Sequence, residues 1–244
     1  MTDILQPMVD LLAITPHPDD AELLCGGTLI RAAALGHKTG ILDLSAGELG
    51  THGTPEGRRA EAERAAEILG LTARIGLDLP DARIRNDEES RVQLVEAIRE
   101  LRPRTVILPY FEGRHPDHRV ASELGYDACY LAGLKNFPAA GDPHRPTKIL
   151  YTLAYREHAL KPTFVVDISD AFERKLEAIR CYASQFDGVK ALGELYPAEV
   201  PLYDLVRIQD AHYGSLIRVA YGEPFYARET MLVDDVVSLP VSSF

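Results

Sequence analysis

Two short clusters in this 244-residue chain carry the groups from which a hydrolytic metal site can be built: His17-Pro18-Asp19-Asp20, with Glu22 close by, and His115-Pro116-Asp117-His118. Zinc takes neutral imidazole nitrogens and carboxylate oxygens, and in catalytic sites it keeps one position for water. His17, Asp20 and His118 are the candidate ligands on that chemistry. Asp19 then remains as a proton acceptor, and His115 as a second imidazole beside the reaction. Adjacent carboxylates can divide this labour, because an ion holds one ionised while the other exchanges a proton at a suitably tuned pKa. Either cluster alone could instead cap a helix or bond loop backbone. The two together, each placed where an apolar strand gives way to a helix, point to metal-assisted hydrolysis. The histidines do not have the HExxH spacing of a zincin helix.

The elements that must position these groups repeat a simple pattern. Val9 to Thr15 is a short apolar strand ended by Pro16, and a helix is expected from about Glu22 to Leu35, stopped by Gly36. A strand over Thr39 to Leu44 completes a unit long enough for a parallel crossover. The Gly-rich run Ser45 to Thr54 reads as a loop, with Thr54 capping a helix that starts at Pro55 and ends at Gly70. Further strands are expected at Ala73 to Leu77, Thr105 to Leu108, Ile149 to Leu153 and Phe164 to Val166. Helices are expected at Glu89 to Leu101, Arg119 to Leu131, Asp170 to Tyr182 and Tyr203 to Leu216. Asp170 and Glu173 stand at capping-box spacing. The fold class is therefore α/β: one Rossmann-like domain over residues 1–244, its open, mostly parallel sheet flanked by helices and its C-terminal portion less regular. Val236 to Phe244 reads as an exposed tail or an interface segment.

Composition bounds the partners. The formal charge of -11 argues against a nucleic-acid footprint, although local arginines can still receive an anionic small molecule. No apolar run approaches the roughly 18 residues of a membrane span, and Met1 to Pro7 lacks the basic-then-apolar form of a signal. A cytoplasmic protein is expected. Cys25, Cys129 and Cys181 are too scattered for a disulfide framework or a thiolate zinc site and read as buried thiols. Cys25-Gly26-Gly27-Thr28 matches neither phosphate-loop pattern and suggests close packing of the first helix instead.

The segments AITPHPDDAELLCGGTL and YFEGRHPDHR, with ASQF at Ala183 to Phe186 and the later HYGSLIRVAYGEPF, resemble the LmbE-like, or PIG-L-like, deacetylases. Among subfamilies the chain is most similar to the N-acetylglucosaminyl-malate deacetylases of bacillithiol biosynthesis. The resemblance implies Zn2+ at His17, Asp20 and His118, Asp19 as general base, and His115, protonated, on the oxyanion side. It places Arg58, beside Arg59, at the family's substrate-side arginine, suited to a sugar hydroxyl or the malate carboxylate. The implied substrate is a small N-acetylated sugar conjugate, and the implied assembly is a homo-oligomer, with a hexamer as one form. Tyr213 is carried as a substrate-pocket candidate, and Asp81, Arg83 and Tyr155 with less support. The alternatives are a deacetylase of another sugar conjugate or a chitooligosaccharide, and an inactive metal-dependent sugar-binding protein.

Overall fold

The computed structural model describes residues 8–153, 160–187 and 200–241. Tyr155 lies outside them, as do residues 242–244 of the expected tail. The chain alternates β1 (Leu11–Thr15), α1 (Asp20–Ala34), β2 (Thr39–Asp43), α2 (Pro55–Leu69), β3 (Ala73–Gly76), α3 (Glu88–Leu101), β4 (Thr105–Pro109) and α4 (Pro116–Ala132). It continues through β5 (Lys148–Thr152), β6 (Phe164–Asp167), α5 (Phe172–Arg180), α6 (Ala183–Phe186), α7 (Leu202–Leu216) and β7 (Gly222–Tyr226). Among the described residues these strands form one sheet in the order β3-β2-β1-β4-β5-β7-β6. The five strands from β3 to β5 run parallel, and β7 pairs antiparallel with both β5 and β6.

The strands are short apolar runs buried on both faces, as β1 and β2 show most fully, so helices must cover each side of the sheet. One core layer joins Leu12, Ile14 and Leu108 to α3 and α4 through Leu94, Ile98 and Leu124. The other joins Ala13, Ile41 and Ile107 to α1, α2 and α5 through Leu29, Ala65 and Leu176. Strand order reverses at β1 and β4, so the loops after these strands diverge and leave a crevice between them. Both histidine clusters emerge there.

Most expected elements appear within one or two residues, but three features differ. β7 carries Gly222 and Pro224, residues that punctuate strands in a sequence, and it is paired nonetheless because its neighbours accept that register. α6 is a single turn, too short to show a period. The expected capping box of Asp170 and Glu173 does not form: α5 begins at Phe172 behind Ala171 with no side-chain cap.

The Cys25-Gly26-Gly27-Thr28 segment proves to be a structural joint. α1 kinks at Cys25, whose backbone leaves the helical region. Glu223 on β7 collects the N–H groups of Gly27 and Thr28 at 2.9 and 2.7 Å. A side chain at Gly27 would meet Ile168 at 2.8 Å, so only glycine admits the approach. Glu223 also pairs with Lys175 at 2.8 Å, and Asp210 with the same ammonium at 2.7 Å. Lys175 is completely buried. One cation thus neutralises two buried carboxylates from α7 and β7 and ties the C-terminal elements to α1. Lys175→Met is expected to destabilise the protein by about 3–5 kcal/mol, because it strands both carboxylates in the core. Urea unfolding followed by circular dichroism checks this, and an unchanged midpoint would contradict it.

Candidate active site

β1 ends at Pro16, and the chain turns sharply to start α1. Asp19 makes that turn with φ at 106°, a conformation that is strained for any residue but glycine. The strain is offset by what it aims. Asp20 enters the first turn of α1 facing the β1–β4 crevice, while Asp19 beside it accepts a hydrogen bond from Arg58 on Oδ2. On the far side of the crevice, α4 starts at Pro116, and His115 caps it by accepting the Asp117 N–H on Nδ1 at 3.2 Å.

The crevice brings three imidazoles together. Ring centroids lie 5.0 Å apart for His17 and His115, 5.7 Å for His17 and His118, and 5.3 Å for His115 and His118. Asp20 bridges two of them, with Oδ2 at 3.1 Å from His17 Nδ1 and Oδ1 at 3.2 Å from His118 Nε2. Donor atoms of His17, Asp20 and His118 all lie within 4.8 Å of one another. Two nitrogens and a carboxylate converging on one point form a donor set that fits a divalent cation of the zinc type. His17, His115 and Asp117 make a second such grouping, but Asp117 Oδ2 already accepts the Ala82 N–H at 2.7 Å and the Asp117 N–H occupies His115 Nδ1.

Charge is distributed unevenly over the cluster. Burial disfavours charge on His17, yet hydrogen bonds to Asp20 and Asp81 outweigh it and push the imidazolium up to about 11. Burial also opposes ionisation of Asp20, but His118 and His17 overcome it and hold this carboxyl well below the usual carboxylate range. Asp19 goes the opposite way: burial pushes it up to about 7, against the pull of Arg58. Two adjacent carboxyls therefore take different protonation behaviour from different neighbours. His115 is exposed, and partial desolvation together with the nearby His118 and His17 lowers its pKa. The expected protonated His115 thus gives way to a neutral ring, with Nδ1 accepting from backbone and Nε2–H free to donate.

Arg58 differs from the expected substrate-facing fork. It is 5% exposed, and its guanidinium donates to Gly47 O at 3.0 Å, Pro18 O at 2.6 Å and Asp19 Oδ2 at 2.9 Å. Gly47, at φ +66°, gives it room, since a Cβ there would overlap Arg58 Nη1. An ordinary surface ion pair is found instead at Arg59, which is exposed and meets Asp78 at 3.6 Å. Tyr213 is buried on α7 with its ring edge against His212, on a helix packed against β7 and β6. Two further groups reach the cluster: Asp81, at 3.1 Å from His17 Nε2, and Asp117, at 3.2 Å. Asp117 is marked in the sequence as the residue between two histidines, whereas Asp81 is marked only as a pocket candidate in the polar loop after β3.

A family model described as PIG-L, GlcNAc-PI de-N-acetylase, matches residues 12–129, a span that includes both clusters. Diacetylchitobiose deacetylase of Thermococcus kodakarensis is 38% identical over 230 residues, covering 87% of this chain and 80% of that protein. The chain belongs to the PIG-L family. It is accordingly a de-N-acetylase, an amide hydrolase of the metal-dependent type. The crystal structure of the conserved protein TT1542 from Thermus thermophilus superposes with a TM-score of 0.83 at 40% identity, covering 92% of this chain and 97% of that one. 4-Oxalmesaconate hydratase of Pseudomonas putida is 25% identical over 203 residues, covering 73% of this chain and 75% of that protein. This PIG-L chain therefore shares similarity with a protein named for a different reaction, and the fold by itself does not name the chemistry.

Were an ion to take His17 as a ligand, its binding would expel the His17 proton, since only neutral imidazole ligates. The His17 value of about 11 in the metal-free protein sets the sign: affinity rises as pH rises across the neutral range, by about tenfold per pH unit for one displaced proton. Calorimetric titration with Zn2+ in buffers of different ionisation enthalpy should report at least one proton released per ion. Heats independent of the buffer would count against it.

Proposed function

We propose that this enzyme hydrolyses the acetamide of a small N-acetylated glucosamine compound, with Zn2+ held by His17, Asp20 and His118. The observation that carries the reading is the convergence of these three donors beside a carboxyl, Asp19, whose pKa of about 7 suits proton exchange at neutral pH. When bound, the ion supplies Lewis-acid polarisation of the acetyl carbonyl and acidifies water. Arg58 holds Asp19 by Oδ2, which leaves Oδ1 to take the proton of the attacking water. His115, fixed by the Asp117 N–H on Nδ1, donates from Nε2 to the oxygen on which negative charge develops. Asp19 then returns its proton to the departing amine. Water and amide become acetate and a free amino sugar.

The N-acetylglucosaminyl-malate reading draws part of its support from an arginine open to the malate carboxylate. With Arg58 turned inward onto Asp19 and two carbonyls, that support is gone. The 38% identical relative named for diacetylchitobiose favours a chitooligosaccharide such as diacetylchitobiose, and the malate conjugate of bacillithiol biosynthesis stands as the second reading. Assembly into a homo-oligomer, a hexamer being one form, would cover the apolar surface of the described tail, where Leu232, Val236 and Val237 are 79–90% exposed. Among the described residues no helix is long and apolar enough to cross a membrane.

A panel of N-acetylglucosamine, diacetylchitobiose and the malate conjugate, scored by acetate release with metal content measured on the same sample, tests the substrate. Turnover confined to the malate conjugate would put that compound ahead of the chitooligosaccharide. Asp19→Asn should keep the fold and the ion while kcat falls about a hundred- to ten-thousand-fold. Near-normal turnover in that variant would remove Asp19 as the base. Native mass spectrometry reads the assembly, and a monomer at micromolar concentration would end the oligomer proposal.

A further inference from the structure

His17 has two nitrogens, and the protein treats them differently. Nδ1 faces Asp20 Oδ2 at 3.1 Å, on the side shared with His118. Nε2 faces two other carboxylates, Asp81 Oδ1 at 3.1 Å and Asp117 Oδ2 at 3.2 Å. Both of these are buried, 6% and 1% exposed, and both are held from behind by backbone. Leu49 N–H donates to Asp81 Oδ2 at 2.9 Å, and Ala82 N–H to Asp117 Oδ2 at 2.7 Å. Asp81 N–H is itself taken by Glu48 Oε1 at 2.8 Å. Ala82 reaches Asp117 from a left-handed conformation, φ 57°, which costs about 1 kcal/mol or more for a residue with a Cβ. A loop folded at that cost around a buried carboxylate is built to keep it in place.

We infer that Asp81 and Asp117 are positioning residues that lock His17 with Nε2–H donated to them and Nδ1 presented to the metal ion. The assignment rests on the metal reading above. Its physical basis is that an imidazole can give only one nitrogen to an ion while the other carries a proton, and a carboxylate acceptor fixes which is which. The same contact makes the ligand nitrogen more basic and freezes the ring plane. It also ties three separate loops to one ligand: the Gly-rich loop through Leu49 and Glu48, the loop after β3 through Asp81 and Ala82, and the start of α4 through Asp117.

Asp81→Asn and Asp117→Asn should each weaken Zn2+ binding, measured against a competing chelator, by about 10–100-fold while one ion per chain is retained. His118→Ala, which removes a ligand, should lose tight binding altogether. Long-range proton–nitrogen NMR on the zinc-loaded wild type should show His17 bound through Nδ1 and protonated at Nε2. Unchanged affinity in both Asn variants, or an ion bound through Nε2, overturns the assignment but leaves the metal site standing. A wild-type protein that takes up no divalent ion overturns both. If Asp117→Asn does not fold, Asp81→Asn and the spectrum of the wild type decide alone.

Discussion

The site depends on one carboxylate shared by two imidazoles. Asp20 reaches His17 with one oxygen and His118 with the other, and this bridge joins the loop after β1 to the loop after β4. Around it the protein gathers Asp19, half-buried, and Asp81 and Asp117, both buried. Burying that many carboxylates is unfavourable unless positive charge answers them. In the metal-free protein His17 answers by keeping its proton. On the proposed function a divalent cation held by His17, Asp20 and His118 would answer them in its place.

The rest of the fold serves the two strand ends that carry this bridge. β1 and β4 lie side by side in register, Leu11 against Thr105, so the loops leaving them begin at the same level. Lys175, Asp210 and Glu223 brace α1 from behind through the glycine joint at residues 26 and 27. Glu22, fully buried in the first turns of α1, is held by Arg74 and Tyr182, and Arg74 is clamped in turn by Asp43. These ion pairs leave the site end of α1 little freedom to rotate, and the strained backbone of Asp19 persists because its surroundings are fixed.

Arg58 illustrates how a residue's surroundings decide its role. A guanidinium on a charged helix reads as a surface partner or, by resemblance, as a substrate clamp. In the fold it passes beneath the Gly-rich loop, where Gly47 leaves space for no side chain but its own, and binds Asp19. Its guanidinium therefore acts on the proton affinity of that carboxyl and on the path of the loop.

The sequence by itself determined the alternation of strands and helices, and it marked the two clusters that meet in the crevice. Those features are local: apolar runs of strand length, capping residues and metal-ligating types at short spacing act within a few residues of one another. Only the tertiary structure decided that Asp81 and Asp117 stand behind His17, that Arg58 turns inward, and that Gly222–Tyr226 is a strand. Each of these depends on groups brought together from tens of positions up to a hundred apart. No local pattern encodes such contacts, because they exist only once the sheet has set which loops share an edge.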